Sequence, residues 1–346
     1  MNFNFKKIRS IIFVVVIIGF LGFIYVFAST GILSDLNSET NEEVTDDVEE
    51  ITEDTLEEFF ETEAETEAID EESITWQVDE ITDEFVRLHG LIENPTSKAL
   101  LSTYLVLPIT GEDPRNEKYP VLFQIPGGTD WGTNALTDDL SSSDYLLPNG
   151  IGYAYFDPDG RGESKGDEDA NGPIQQDGLF AVSEAIANHP SVDTNDLAIL
   201  SYSYGTTLAS GMLSRYENEH PYKWYLDWEG PSKREYTTKK CTTQTVDKNL
   251  QVSCDDDEFW AERESATFLA NLNIPYLRLQ NTIDHVQESN EHAVDAINAA
   301  TNGTSPWTRI NNEDPNQTYT YDSPPEYLEK RTYQTLEYAL EMFEMF

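Results

Sequence analysis

The chain has 346 residues, with 65 Asp and Glu against 21 Lys and Arg and a formal net charge of −44. An anionic excess of this size repels polyphosphate and excludes nucleic-acid binding. The length admits one large α/β domain with appendages, or two smaller domains.

Residues 1–9 carry Lys6, Lys7 and Arg9 and read as a short cytoplasmic N-terminus. Residues 10–29, "SIIFVVVIIGFLGFIYVFAS", contain no charge and as a helix would span a bilayer of about 30 Å. The basic flank places everything after residue 29 outside the cell. Val26-Phe27-Ala28 has the small-residue spacing of a signal cleavage site. The apolar run nevertheless exceeds the roughly 7–15 residues of a signal core, which favours a retained single-pass anchor. Both readings export the rest of the chain, at the cell membrane with an anchor and secreted with a cleaved signal. Residues 30–81 read as a disordered acidic linker. Residues 35–84 hold 23 Asp and Glu and no Lys or Arg, too little apolar surface to offset ordering entropy.

From residue 82 to 346 short apolar runs alternate with amphipathic ones. "EFVRLHGLIE" and "ALLSTYLVLPIT" predict two strands joined by an Asn94-Pro95 turn, and "YPVLFQIPGG" a buried strand entering a Gly-rich loop. "GIGYAYFDPDGRGES" is another strand, followed by a helix over "GPIQQDGLFAVSEAIANHP" that stops at Pro190. Then come the strand "LAILSYS", the helix "TTLASGMLSRYENE", the strand "KWYLDWEG", a helix over "DDEFWAERESATFLANL", the strand "PYLRLQNTID", the helix "SNEHAVDAINAATNG", a last strand in "SPWTRIN" and a C-terminal helix starting after Pro325. Strands alternating with helices imply a mostly parallel sheet covered on both faces, with its site at the carboxyl ends of the strands. Residues 231–256 are polar and fit an insertion over that end. They contain both cysteines, Cys241 and Cys254, whose spacing in an exported chain predicts one local disulfide. Asn302 and Asn316 head glycosylation sequons. Asp167, Asp169, Asn171 and Gly172 match the first half of a calcium loop. Gly178 stands where the twelfth-position Glu would be, so an EF-hand fails and a solvated acidic turn without metal is expected, with calcium at residues 167–172 left as the alternative.

Residues 201–205 read Ser-x-Ser-x-Gly between a predicted strand and a predicted helix. Small residues on either side of Ser203 let the helix pack close to the strand around a strained turn, which lifts the hydroxyl above the sheet. Here the chain resembles the α/β-hydrolase superfamily, and within it the exported prolyl-oligopeptidase-like and dienelactone-hydrolase-like serine hydrolases. "VLFQIPGGTDWG" corresponds to the oxyanion loop of that family, with Pro126 where a histidine often stands. "DPDGRGESKG" resembles its Asp-x-Arg-Gly loop, and "FWAERESATFLANLNIPYLRLQNTIDHVQ" its approach to the acid strand. The resemblance implies a serine hydrolase acting on an ester or peptide bond without a cofactor. It also implies an oxyanion hole from the N–H groups of Tyr204 and either Gly128 or Thr129, and an acid at Asp284.

The family's late histidine, after the last strand, is missing: that region reads "RINNEDPNQTYTYDS". His89 lies in an early strand, and His189 and His220 follow helices at the opposite end of the sheet. His285 and His292 remain, with His285 nearer the strand end and expected as the base. Its neighbour Asp284 could orient it only through a sharp bend, so Asp227 or Glu229 in "LDWEGP" stays open as the partner. The missing histidine also motivates a second function class, a catalytically degenerate hydrolase fold serving as a surface binding protein.

Overall fold

A computed structural model describes residues 75–109, 118–128, 130, 132, 142–237, 246–247, 252–329 and 333–346. The expected membrane segment 10–29 and nearly all of the linker lie outside the described residues. Among the described residues no helix is long and apolar enough to cross a membrane.

Nine strands form one sheet. They are β1 (Trp76–Ile81), β2 (Phe85–Glu93), β3 (Leu100–Pro108), β4 (Tyr119–Ile125), β5 (Gly152–Phe156), β6 (Val192–Tyr202), β7 (Tyr225–Trp228), β10 (Tyr276–Leu279) and β11 (Thr308–Ile310). A separate hairpin pairs β8 (Val246–Asp247) with β9 (Val252–Ser253). The spatial order is β1-β2-β3-β5-β4-β6-β7-β10-β11. The first four strands in that order pair antiparallel, and β5 onward runs parallel. Crossovers between parallel strands need helices, and those helices bury both faces of the sheet, so β5 and β7 are buried at every position and β6 from Leu197 to Ser201, without alternation.

The helices are α1 (Ser142–Tyr145), α2 (Pro173–Ala187), α3 (Gly205–Arg215), α4 (Asp257–Ala261), α5 (Ser265–Leu269), α6 (Glu291–Asn302) and α7 (Tyr333–Met345). Pro173 opens α2, where its missing N–H costs nothing. Every residue of α3 from Gly205 to Leu213 is buried. Its Gly205 is required by close approach, since a Cβ there would lie 2.4 Å from the Pro126 carbonyl oxygen. On one face α7 seats Leu336, Ala339 and Met342 over Trp224, Leu226 and Leu277. The Phe343 ring meets Trp224 edge-on at 4.9 Å.

Three boundaries differ from expectation. The domain begins before residue 82, because Trp76–Ile81, assigned to the linker, is strand β1 paired with β2. Arg87 of β2 binds Asp79 at 2.6 Å and Glu80 at 2.9 Å, and a local charge count cannot see these cross-strand partners. The helix over "DDEFWAERESATFLANL" is two short ones, interrupted where Glu264 turns extended and Arg263 turns inward to Asp169 at 2.6 Å. The C-terminal helix starts at Tyr333 rather than after Pro325. Leu328 instead bridges to Asn281 as extended chain and donates its N–H to the Gln280 carbonyl.

Of the insertion, Arg234–Tyr236 forms a single helical turn, and Cys254 is buried against Trp260. Cys241 lies outside the described residues, so the pairing with Cys254 stays an expectation.

Candidate active site

Strand β6 ends at Tyr202, and Ser203 follows with φ of +50°. A non-glycine residue there is strained, and the surroundings hold it in place. The Ser203 N–H donates to the Trp228 carbonyl at 2.8 Å, and its own carbonyl accepts from Thr206 N–H at 3.0 Å. Ser201 on the strand side is fully buried, and α3 begins at Gly205. The expected strand–serine–helix turn is therefore present.

His285 Nε2 is 2.7 Å from Ser203 Oγ. On the other side of the ring, His285 Nδ1 lies 2.8 Å from Glu229 Oε2. Three residues from three strand ends thus form one hydrogen-bonded line: Ser203 after β6, Glu229 after β7 and His285 after β10. Glu229 also has φ of +50°, which turns its carboxylate back over the strand end. That carboxylate is buried, at 1% exposure, and fully engaged. Oε1 accepts from Asn281 N–H at 3.0 Å and Asn281 Nδ2 at 2.6 Å, while Oε2 also accepts from the His285 N–H at 3.1 Å. Four donors make a buried anion tolerable. The Trp228 ring lies 4.7 Å from the imidazole and limits its rotation.

Asp284 does not take the acid's place. Its Oδ1 is 3.5 Å from His285 Nδ1, against 2.8 Å for Glu229. Neighbouring side chains diverge from the backbone, and the Asp284 carboxylate turns toward Val286 N–H, Gln287 N–H and His292 instead. Asp227 is not the partner either. It is fully buried and bound to Arg278, Tyr276 Oη at 3.0 Å and Gly230 N–H at 3.2 Å. His292 is buried in the first turn of α6 beside Asp284 at 3.1 Å. As expected, the other histidines lie elsewhere. His89 meets Ser102 Oγ, His189 lies against Trp76 and His220 meets Asn273.

The loop after β4 packs on the elbow. A Cβ on Gly127 would lie 2.9 Å from the Tyr202 carbonyl oxygen and 3.0 Å from Ser203 Cβ, so only glycine allows this approach. Gly128 follows with φ of +58°, and Thr129 lies outside the described residues. Sequence reasoning did not foresee what fixes this loop. The buried Asp157 carboxylate accepts from Gly132 N–H at 2.8 Å and Glu163 N–H at 2.8 Å. Arg161, also buried, binds both Glu168 oxygens at 2.6 Å and Asn171 Oδ1 at 2.8 Å, and Asn171 Nδ2 donates to the Tyr204 carbonyl at 2.8 Å. Of the residues considered for calcium, Asp169 is bound to Arg263 and Asn171 to Arg161, while Asp167 is exposed; the neighbouring Glu168 is held by Arg161. Glu229, Asp284 and His285 bring ligand-type atoms within 4.8 Å of one another. Each of those atoms already has a protein partner, so the group reads as a hydrogen-bonded network and not as a metal centre.

Strand order, elbow and crossovers are those of the α/β-hydrolase fold, and solved structures agree. The chain is similar to acetyl xylan esterase 1 from Thermoanaerobacterium sp. JW/SL YS485, with TM-score 0.55 and 14% identity over 80% of this chain and 89% of that one. An acetyl xylan esterase from Paenibacillus sp. R4 gives TM-score 0.55 and 11% identity over 88% and 96%. Porphyromonas gingivalis dipeptidyl peptidase 4 gives 0.54 and 18% over 75% of this chain but only 35% of the peptidase. No family model and no curated protein matches the chain.

Proposed function

We propose that the chain is a serine hydrolase that cleaves an ester or amide bond through an acyl-enzyme on Ser203. The observation that carries this reading is His285 standing 2.7 Å from Ser203 Oγ and 2.8 Å from Glu229 Oε2. The names of the structural neighbours, esterases and a peptidase, support the same chemistry.

In this mechanism Glu229 holds the proton of His285 on Nδ1, which leaves the Nε2 lone pair facing Ser203. Ser203 Oγ attacks the carbonyl carbon as its proton passes to Nε2. The resulting oxyanion is met by the Tyr204 and Gly128 N–H groups, each such donor contributing about 2.7–4 kcal/mol to transition-state stabilisation. The imidazolium then returns its proton to the departing alcohol or amine. Water attacks the acyl-enzyme with His285 again as base, which releases the carboxylic acid and restores Ser203. Export through residues 10–29, with the domain tethered outside the membrane, belongs to the same proposal.

A fluorophosphonate probe on the purified protein tests it. Covalent labelling that disappears in Ser203→Ala is expected. Absence of labelling in a folded wild type would return the chain to the degenerate, binding-only reading.

A further inference from the structure

Behind His285 lies a buried polar chain that the proposed reaction does not itself use. Asp284 Oδ1 accepts from Val286 N–H at 2.8 Å and Gln287 N–H at 2.7 Å, a turn that sets the direction in which the His285 side chain leaves the loop. Asp284 Oδ2 accepts from Gln280 Nε2 at 2.9 Å and stands 3.1 Å from His292 Nε2. His292 is fully buried, and its Nδ1 lies 3.0 Å from the Gly230 carbonyl and 3.2 Å from Arg278 Nη2. Arg278 is anchored on Asp227, the Gly230 carbonyl at 2.7 Å and Gln280 Oε1 at 2.6 Å. Burial alone would raise the Asp284 carboxyl, but His292, the Gln287 N–H and Gln280 outweigh it and hold the group well below the usual carboxylate range. The anion's Oδ1 is 3.5 Å from His285 Nδ1, beyond a good hydrogen bond yet close enough for its charge to be felt.

We infer that Asp284, held by Gln280 and by the N–H groups of its own turn, is a positioning residue for His285: it fixes the turn that aims the imidazole at Ser203 and sets a second negative charge behind Glu229. The inference rests on the hydrolase reading above. The reacting proton still passes only between Ser203 and His285. Asp284 acts through the loop and the field, and Gln280, itself bound by Arg278, keeps its carboxylate from rotating away.

The test is a double-mutant cycle in the full-length protein, with p-nitrophenyl acetate as the probe and Ser203→Ala as the floor. Asp284→Asn keeps an amide oxygen for Val286 and Gln287 but removes the charge. It is expected to lower kcat about tenfold with KM unchanged. Glu229→Gln stays above the floor, and the double variant reaches it, so the charge of Asp284 counts for more once Glu229 is neutralised. An equal factor in both backgrounds, or a loss confined to KM, would overturn the positioning role. If Asp284→Asn does not fold, His292→Gln replaces it in the same cycle, with the same coupling to Glu229→Gln expected and its absence equally fatal. Hydrolysis by Ser203→Ala at the wild-type rate would sink the hydrolase reading itself. An inert Ser203→Ala beside an unaffected Asp284→Asn would remove the positioning role alone.

Discussion

Glu229→Gln separates the two carboxylates that flank His285. In the wild type Oε1 faces two donors from Asn281 and Oε2 faces two from His285. An amide can satisfy only one of these pairs. With its oxygen toward Asn281, its NH₂ group meets His285 Nδ1, which must then accept. The imidazole proton moves to Nε2, and the lone pair that would take the proton of Ser203 is gone. A wrong tautomer of this kind costs about 10⁴ in kcat in Ser–His–acid sites. Asp284 at 3.5 Å still favours a proton on Nδ1 in part of the population. The expected loss is therefore about 10³, still above the Ser203→Ala floor. Steady-state hydrolysis of a short acyl ester measures it, with the melting temperature as a check on folding. A loss under tenfold in a folded variant, or a greater loss in Asp284→Asn than in Glu229→Gln, would refute the assignment of Glu229 as the orienting acid.

Ser203→Ala should abolish hydrolysis and probe labelling while leaving the melting temperature within a few degrees, since the hydroxyl contributes no core packing. His189 is buried, and burial pushes it down to about 4. The unfolded state therefore binds its proton first, and stability present above about pH 6.5 is lost as pH falls toward 4, by about 3 kcal/mol at most. Urea titrations at pH 7 and pH 4.5 should show that drop shrinking in His189→Gln. Met342→Ala, under the sheet face covered by α7, should cost about 2–5 kcal/mol in the same titration at pH 7. Thiol titration of denatured, unreduced protein should find no free cysteine, as the expected Cys241–Cys254 bond requires, a bond contributing about 3 kcal/mol for a loop of this length; two free thiols would rule it out.

The elbow was legible because its signals are local. A buried run, two small residues and a helix start suffice to mark Ser203. His285 was legible through its strand end, because parallel sheets gather chemistry at one edge. Glu229 remained one of three carboxylates for a physical reason. Asp227, Trp228 and Glu229 are consecutive, and which of them faces the histidine depends on where β7 stops and on a left-handed turn at Glu229 itself. No composition or spacing rule marks a glutamate for φ of +50°. Asp284 misled in the opposite way. The family resemblance implied it as the acid although its adjacency to His285 demanded a sharp bend, and the carboxylate closes its own turn instead. Strand β1 was hidden by charge, because its acids are neutralised by Arg87 on the next strand.

The missing late histidine has a structural counterpart. Where the resemblance led one to expect it, just past β11, stands Asn311, again with φ near +50°. Its Oδ1 accepts from Gln280 N–H at 2.9 Å, and its Nδ2 donates to the Gln280 carbonyl at 3.1 Å and the Glu326 carbonyl at 2.8 Å. Gln280 in turn holds Asp284 and Arg278. The last strand end thus contributes a brace where the resemblance implied a base, and in the proposed mechanism that role falls to His285 on the loop after β10. Ser203, Glu229 and Asn311 each follow a strand end with the same left-handed backbone. Such turns are unfavourable for non-glycine residues, by about 1–3 kcal/mol each. Each persists because its side chain or backbone is tied across to a neighbouring strand end: Ser203 to Trp228, Glu229 to Leu279 and Asn311 to Arg278. In the proposed mechanism the base follows β10, which lies one strand nearer to β6 than β11 does. The proposed acid, Glu229, follows β7, which lies between β6 and β10 in the sheet.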